Sequence, residues 1–190
     1  MGNRDALLAG AKACLREKGY ERTSVRDIAT SAGVSMAAIG YHYGTREALL
    51  NQALFEILDE RGDAMSRALG ADTDSFDQGQ FARMWQALVD DFAANRDVWL
   101  ASLELFMQAQ RQPGLRQALA AGTTQGRRGV AAILARVPED QVSEKAVRTL
   151  GSVQLALMSG LMIQHLSDPD TAPSADEIVE GLRGLAGMVQ

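Results

Sequence analysis

The chain contains few of the residues on which most catalytic and metal sites depend. Among 190 residues there are one cysteine, two histidines and four prolines, and only 5% of the residues are aromatic. Cys14 cannot form an internal disulfide, and its place on the apolar stripe of the first predicted helix favours packing over redox chemistry. His42 and His165 fall on different predicted helices, and no metal-spaced or phosphate-loop motif accompanies them. The sequence therefore argues against an enzyme and predicts no catalytic residue, no metal and no cofactor.

Long apolar runs are also missing. No run approaches the roughly 18 apolar residues that a bilayer-spanning helix needs. The first residues, MGNRDALLAGAK, lack the apolar core of a secretory signal. Apolar residues make up 46% of the chain and charged residues 23%, which is ordinary for a globular protein. We therefore expect a cytoplasmic protein with no membrane segment.

The charge is distributed unevenly along the chain. The formal net charge is −5, yet residues 1–50 carry 7 Lys and Arg against 5 Asp and Glu, while the other 140 residues carry 12 against 19. A mildly basic end on an acidic chain is the asymmetry expected when only that end approaches phosphate groups. The N-terminal part is therefore the candidate nucleic-acid binding region.

Apolar residues recur at helical spacing throughout, and no stretch shows sustained alternation with period two. In the second half, the spacing of the aromatic and aliphatic residues is typical of amphipathic helices packed as a bundle. These patterns predict an all-α protein of about nine helices. The predicted helices lie near residues 4–18, 24–31, 35–42, 46–69, 76–95, 97–111, 113–136, 143–166 and 174–188.

Residues 23–49 predict two short helices joined by a tight turn. Ser24 and Asp27 fit a capping box, in which each side chain bonds a free amide at the start of a helix. Gly33 can take the left-handed conformation that ends a helix. In a helix-turn-helix unit of this kind, the second helix enters the major groove of DNA.

The second helix of this unit is predicted over Met36–Tyr43. Ser35 is expected to cap it, and Thr45 to cap the helix that follows. Ile39 and Tyr43 are expected to be core residues that hold the three helices together.

The segment GYERTSVRDIATSAGVSMAAIGYHYGTREALL, Gly19–Leu50, resembles the N-terminal DNA-binding domain of the TetR (tetracycline-repressor-like) family. The capping residues, the turn glycine, the YHY aromatics and the following T-R-E-A-L run fall in register with that family. Further along the chain only the helical layout is similar. The resemblance implies a helix-turn-helix DNA-binding domain over residues 1–46 and a helical effector-binding and dimerisation domain over residues 47–190.

The resemblance also implies a set of DNA contacts on the second helix and beside it. Arg46, at a helix start, joins a guanidinium to the positive end of a helix dipole, and both favour an anion. For two positions an alternative stays open, because His42 could be a packed aromatic and Arg26 a merely solvated residue. The candidate DNA-binding residues are Ser24, Arg26, Ser35, Met36, Ala37, Ala38, Gly40, Tyr41, His42 and Arg46.

The recognition helix lacks Arg, Lys, Asn and Gln, which are the usual bidentate readers of base edges. Base reading would then depend on contacts with thymine methyl groups, on Tyr41 and His42, and on Arg26. We expect the shape of the DNA to carry more of the specificity.

In a two-fold dimer, the DNA-binding domain of each chain, here called its head, reads one half-site. Small residues on the last two helices permit close approach of helices, either between two chains or within one. The resemblance implies that these helices form the dimer interface. The candidate interface residues are Gly151, Ser152, Leu155, Ala156, Ser159, Gly160, Ile163, Ile178, Leu182 and Leu185.

The resemblance further implies a small-molecule effector bound in the helical body. Each apolar candidate could instead be an ordinary core residue, since any bundle needs such a stripe. Glu104 lies in an apolar stretch, so its carboxylate must be paired or stay protonated, with a structural Arg or a cationic ligand as the alternatives. The candidate pocket residues are Phe81, Trp85, Leu88, Trp99, Leu103, Glu104, Met107, Gln108, Gln154, Met158, Met162 and His165.

The expected function is that of a ligand-responsive transcriptional regulator. The expected partners are double-stranded operator DNA, a second copy of the chain and a small molecule. We expect a homodimer that represses transcription from a palindromic operator and is released by the effector. A helical interaction protein with a vestigial head is the alternative that the apolar recognition helix leaves open.

Overall fold

The computed structural model describes residues 2–70 and 78–189, with side chains at all of these positions except 65–70 and 78. Nine helices and one 3₁₀ turn, Glu139–Gln141, make up the secondary structure of these residues, and they contain no strand. The eighth helix includes a π-helical segment, Val147–Gly151. The all-α prediction is confirmed, although the predicted start of the fifth helix lies partly outside the described residues. The helices are α1 (Asn3–Arg22), α2 (Val25–Ala32), α3 (Ala37–Tyr43), α4 (Arg46–Gly70), α5 (Gln78–Ala94), α6 (Arg96–Ala109), α7 (Pro113–Ala135), α8 (Glu144–Ser167) and α9 (Ala175–Gly187).

The chain divides into two compact units. The first comprises Met1–Arg61 with Asp97–Leu119, and the second comprises Gly62–Arg96 with Ala120–Gln190. Helix α6 therefore packs with the N-terminal head, although it lies in the predicted effector domain. The functional division after residue 46 stays a prediction.

The core of the first unit joins α1, α2, α3, α4 and α6. Leu7, Ile28, Leu50 and Leu105 are completely buried in it, and Ile39 nearly so. Each such side chain contributes roughly 1.5–3 kcal/mol of burial free energy. This core fixes the orientation of the two short helices α2 and α3, which are too short to be stable alone.

Cys14 belongs to the same core and is 4% exposed. Burial raises the pKa of its thiol, and a thiol that stays protonated is a poor nucleophile. The packing role predicted for this cysteine agrees with its surroundings.

The second unit is built from α5, α7, α8 and α9. Trp85 and Ala131 are fully buried in it, and Leu161 and Ile178 largely so. Helix α8 is long and apolar enough to cross a membrane by length and composition alone, and 28% of its most apolar stretch is buried. Much of this apolar surface is therefore exposed in a single chain.

Candidate nucleic-acid interface

The start of α2 is fixed by a reciprocal cap. Ser24 Oγ accepts a hydrogen bond from the Asp27 N–H at 3.2 Å, and Asp27 Oδ2 accepts one from the Ser24 N–H at 2.8 Å. Lys18 on α1 lies 2.6 Å from Asp27 Oδ1, and with Ser24 it holds the pKa of this carboxyl well below its ordinary value. The capping box is confirmed, and the Ser24 hydroxyl belongs to it.

The turn after α2 and the start of α4 also follow the local signals in the sequence. Gly33 has φ 67° and ψ 29°, the left-handed conformation, and its N–H reaches the carbonyls of the last turn of α2. Thr45 Oγ1 accepts a hydrogen bond from the Ala48 N–H at 3.0 Å. Both predictions are confirmed: Gly33 ends α2 before the turn to α3, and Thr45 caps the start of α4.

The prediction that Ser35 caps α3 is wrong. Helix α3 begins at Ala37, its N-cap is Met36, and no side chain bonds the free amides at this end. Met36 is already helical, with φ −58° and ψ −32°, and the Ala38 N–H bonds the backbone carbonyl of Ser35 at 3.1 Å. The chain therefore enters α3 through a backbone turn, and the exposed Ser35 side chain takes no part in it.

One face of α3 is open to solvent. Tyr41 is 86% exposed and Met36 is 52% exposed, and Ala37 and Gly40 lie on the same open surface. The rings of Tyr41 and His42 meet edge to face with their centroids 4.8 Å apart, so the half-buried His42 is held beside the exposed phenol.

The opposite face of α3 packs into the head. Ile39 is 2% exposed, and Ala38 packs against the same core. Tyr43 donates its hydroxyl to the Arg4 carbonyl at 2.8 Å, and the Arg4 guanidinium lies 5.7 Å from the centre of its ring. Tyr43 thus joins α3 to α1, in agreement with the core role expected for it.

The two candidate arginines differ sharply in their surroundings. Arg26 on α2 is exposed, and among the described residues no hydrogen bond, ion pair or ring contact engages it. A guanidinium in this state is available to an external anion.

Arg46, by contrast, is directed into the head. Its Nε donates to the Thr23 carbonyl, and its Nη2 donates to the carbonyls of Tyr20 and Glu21. Its Nη1 lies 3.1 Å from a Glu47 carboxylate oxygen. The hydrogen-bond donors of Arg46 are therefore used by the end of α1 and by Glu47, within the first unit itself.

The candidate pocket residues fall into two sets. Phe81, Trp85, Leu88, Gln154, Met158, Met162 and His165 belong to the second unit, and Trp99, Leu103, Glu104, Met107 and Gln108 belong to the first.

In the second unit, Trp85 and Leu88 are buried, and the Phe81 and Trp85 rings meet edge to face at 6.2 Å. His165 bonds the Pro173 carbonyl through Nε2 at 3.1 Å, so this imidazole has a structural partner. In the first unit, Met107 is 60% exposed.

The two polar pocket candidates of α6, Gln108 and Glu104, already have polar neighbours within the first unit. Gln108 Oε1 lies 3.3 Å from the Tyr20 hydroxyl, which also donates to Asn51 Oδ1 at 2.6 Å. Burial and the neighbouring Glu21 carboxyl raise the pKa of Glu104 to about 7, against the opposing effect of Arg46. Glu104 thus neighbours a second carboxyl, and below neutral pH the pair holds a proton.

The candidate dimer residues divide between an internal contact and an exposed groove. Gly151 is buried against the backbone of α7, and the Leu155 side chain lies over α7 near Gly126. Small and apolar residues of α8 and α9 line an open groove of about 470 Å³, and several of its walls are exposed. The lining includes Ala156, Gly160, Ile178, Gly181, Leu182 and Leu185.

Two features of the site have no counterpart in the sequence-based prediction. Tyr20 links α1, α4 and α6 through its hydroxyl and packs under the Arg46 guanidinium, 5.5 Å from its ring centre. Arg127 on α7 has its Nε buried without a hydrogen-bond partner in the described part of the chain. In the sequence Arg127 is one of two adjacent arginines of α7, and nothing in the pattern distinguishes it from Arg128. No group of three or more His, Cys, Asp or Glu side chains in residues 2–70 and 78–189 could hold a metal ion.

Comparison with known proteins matches both parts of the chain. The family described as "Bacterial regulatory proteins, tetR family" matches residues 7–53, and "Tetracyclin repressor-like, C-terminal domain" matches residues 76–187.

Two regulators are similar in sequence. The HTH-type transcriptional regulator CymR of Pseudomonas putida is 36% identical over 121 residues, 63% of this chain and 57% of CymR, so the match covers less than two thirds of that protein. The HTH-type nicotine-responsive transcriptional repressor HdnoR of Paenarthrobacter nicotinovorans is 23% identical over 168 residues, 87% of this chain and 84% of HdnoR. These relatives are DNA-binding regulators and not enzymes, as the sequence predicts for this chain.

A solved structure is similar over the whole length. The multidrug binding protein EbrR, crystallised with proflavin, superposes with a TM-score of 0.66 at 25% identity, covering 97% of this chain and 99% of EbrR. The arrangement of the helices is thus shared with a structure that contains a bound small molecule.

Proposed function

The chain belongs to the TetR family of bacterial transcriptional regulators, and from this premise we propose that it represses transcription as a homodimer on a palindromic operator and is released by a small molecule. The observation that carries the proposal is the open face of α3, which displays Met36, Ala37, Gly40 and Tyr41 beside His42. Arg26 on α2 is exposed as well. In a helix-turn-helix unit, exposed apolar and aromatic groups on the second helix can contact base edges in the major groove.

The open face of α3 carries little charge with which to bind DNA. Arg26 supplies a phosphate or base contact, and Tyr41 reaches the DNA with a ring and a hydroxyl. Met36 and Ala37 offer only apolar surface, which suits thymine methyl groups. Specificity then depends largely on how easily a given DNA sequence adopts the groove shape that binding to the two heads requires.

Arg46 has a different role in this proposal from the phosphate contact implied by the family resemblance. Its guanidinium satisfies carbonyls at the end of α1, next to Ser24 at the start of α2. It therefore supports DNA binding by holding the head together. Ser24 contributes by capping α2. The start of α2 is the positive end of its helix dipole, which favours an anion.

The groove between α8 and α9 supports homodimerisation. Val153 and Leu185 are 61% and 57% exposed on its walls, and an added Cβ at Gly160 or Gly181 would meet no other atom. A partner helix can therefore approach the backbone closely and cover the apolar face of α8. Two copies related by a two-fold axis present two heads to two half-sites.

A small-molecule effector is supported by the relatives. HdnoR is named nicotine-responsive, and EbrR was crystallised with proflavin. We place the effector of this chain in the second unit, among the residues of α5 and α8 such as Trp85, Gln154 and Met162. A cytoplasmic location follows from a role on chromosomal DNA.

Gel-shift titration tests this function, using DNA from immediately upstream of the protein's own gene. The wild type should bind this DNA more tightly than a scrambled duplex of equal composition. Tyr41→Ala with His42→Ala should abolish that preference, whereas Arg148→Ala, which removes an exposed charge from α8, should retain it. A wild-type chain that binds neither duplex would favour the interaction protein with a vestigial head.

A further inference from the structure

Three nitrogen donors of the second unit are closed off from solvent and have no hydrogen-bond acceptor among the described residues. They are the indole Nε1 of Trp85 on α5, the Nε of Arg127 on α7 and the amide Nε2 of Gln154 on α8. Trp85 is 0% exposed and Gln154 is 4% exposed. Buried polar groups in native proteins nearly always have partners, and an unmatched donor costs its full desolvation penalty. Three of them in one unit therefore require an explanation.

Trp85 faces α8. It lies two helical turns before Phe92 on the same face of α5, and the Phe92 ring contacts the His165 ring of α8 with centroids 5.6 Å apart. At its other end, α5 lies beside the end of α7, where Arg136 Nη1 and Gln80 Oε1 are 3.5 Å apart. Helix α5 therefore runs in the same direction as α8, and Trp85 lies level with the middle of α8.

Gln154 and Arg127 meet near the same level. At Gly151 an added Cβ would lie 2.1 Å from the Arg127 carbonyl oxygen, so only glycine permits this approach of α7 to α8. Gln154 follows Gly151 by about one turn, on the stripe of α8 that continues to His165. This stripe faces α7 at one end and α5 at the other. The three donors therefore lie on helices that contact one another, α5, α7 and α8.

The three unmatched groups are all hydrogen-bond donors. They offer N–H groups from a guanidinium, an indole and an amide, which are suited to an oxygen acceptor and above all to an anion. Two carboxylates that contact α7 are already engaged, since Glu144 pairs with Arg128 and Glu139 accepts from Gln125. Buried apolar residues of the same helices include Met84, Leu88 and Met162.

We propose that Trp85, Arg127 and Gln154 form the polar end of the effector site, and that the effector is an organic carboxylate with an apolar body. This inference rests on the proposed effector-responsive function and names the chemical class of the ligand. The carboxylate oxygens accept from the three donors, and the apolar body packs against Met84, Leu88 and the methionines of α8. Since the donors are enclosed, the ligand enters by separating these helices.

The first test is the stability of the free protein. Gln154→Met replaces the unmatched amide with an apolar side chain of similar length, so the melting temperature should rise by about 2–4 °C. The matched control is Gln80→Met, because Gln80 is equally buried but bonded to Arg136. This control should lower the melting temperature. A Gln154→Met protein that melts earlier than the wild type would show that the amide has a structural role, and would overturn the proposal.

The second test is binding, with 3-phenylpropanoate as the probe and 3-phenylpropanamide and acetate as comparisons. In a Trp99→Phe background, Trp85 is the sole tryptophan, and its fluorescence should respond saturably to the carboxylate. The amide and acetate should bind on the order of 10-fold or more weakly, since one lacks the charge and the other the apolar body. Arg127→Met should remove the preference for the carboxylate, and Arg128→Met should leave it intact.

The outcomes separate this inference from the proposed function. Equal binding of carboxylate and amide, or no response of Trp85 to any of the probes at millimolar concentration, would overturn the anionic site. If the same protein samples still bind upstream DNA in a gel shift, the regulator remains and only the ligand class is wrong. Loss of DNA binding by the wild type would instead count against the proposed function.

Discussion

Arg46 donates from its Nε to the carbonyl oxygen of Thr23, 23 residues earlier in the chain and directly before the N-cap of α2. The same guanidinium bonds the Tyr20 carbonyl and lies over the Tyr20 ring. The end of α1, the start of α2 and the start of α4 are therefore held by one side chain. Carbonyls at the end of a helix need such partners, because they have none within the helix.

Arg46→Ala should destabilise the head. Loss of charged hydrogen bonds that satisfy part-buried carbonyls should cost about 1–3 kcal/mol of unfolding free energy, measured by urea denaturation. Operator affinity should fall, while the slope of log affinity against log salt stays unchanged because no phosphate contact is lost. A slope reduced by about one unit, with unchanged stability, would show that this guanidinium reaches the DNA after all.

Arg26→Ala should behave in the opposite way. The side chain is exposed and engages no other described residue, so the unfolding free energy should change by less than about 0.5 kcal/mol. If Arg26 neutralises one phosphate, the salt slope should fall by about 0.9. Fluorescence anisotropy of labelled DNA over a range of salt concentrations measures this slope, with Arg148→Ala as the control. An unchanged slope would leave Arg26 as a solvated surface residue.

Glu104 should make the stability of the protein depend on pH. Its pKa is about 7 in the folded chain, against an ordinary value of 4.5. The folded state therefore binds this proton more tightly than the unfolded state, and stability is full below about pH 4.5 and falls as the pH rises towards 7.

Glu104→Gln keeps the hydrogen-bonding shape without the titration, so its stability should be flatter between these pH values. Thermal melts of both proteins at several pH values make the comparison. Glu177→Gln serves as a control, because Ser174 lowers the pKa of Glu177 and any effect of this change lies at lower pH. Parallel pH profiles of the wild type and Glu104→Gln would mean that the carboxyl pair does not hold the proton.

Leu182→Glu should break the proposed dimer. Leu182 lines the groove between α8 and α9, and in a two-fold interface the new carboxylate would be buried twice without a partner. The dimer dissociation constant should rise on the order of 100-fold or more, as measured by analytical ultracentrifugation. Leu100→Glu changes an exposed leucine of α6 in the first unit and should leave the dimer intact. A monomeric wild type at micromolar concentration would contradict the interface itself.

Local signals in the sequence predicted most of the head. The cap formed by Ser24 and Asp27, the left-handed Gly33 and the cap at Thr45 each depend on residues within a few positions, so their pattern can be read directly. Ser35 shows the limit of such reading. It has the right residue type for a cap, but a helical Met36 starts α3 without it.

Long-range partners could not be predicted in this way. The bonds from Arg46 to the end of α1 depend on how α4 packs against α1, and the sequence shows only a basic residue at a helix start. The approach of α7 to α8 at Gly151 appears in the sequence as one more small residue. Whether a buried donor such as Trp85 Nε1 finds an acceptor likewise depends on the packing of several helices.

Hydroxyl-radical footprinting of the upstream DNA tests most directly that two copies of the α3 face bind one operator. We expect two protected patches with their centres about one helical turn, 10–10.5 base pairs, or a whole multiple of it apart on one side of the duplex. Protection should vanish for Tyr41→Ala with His42→Ala and for the monomeric Leu182→Glu. A single protected patch, or protection that survives both changes, would contradict binding by a homodimer through the open face of α3.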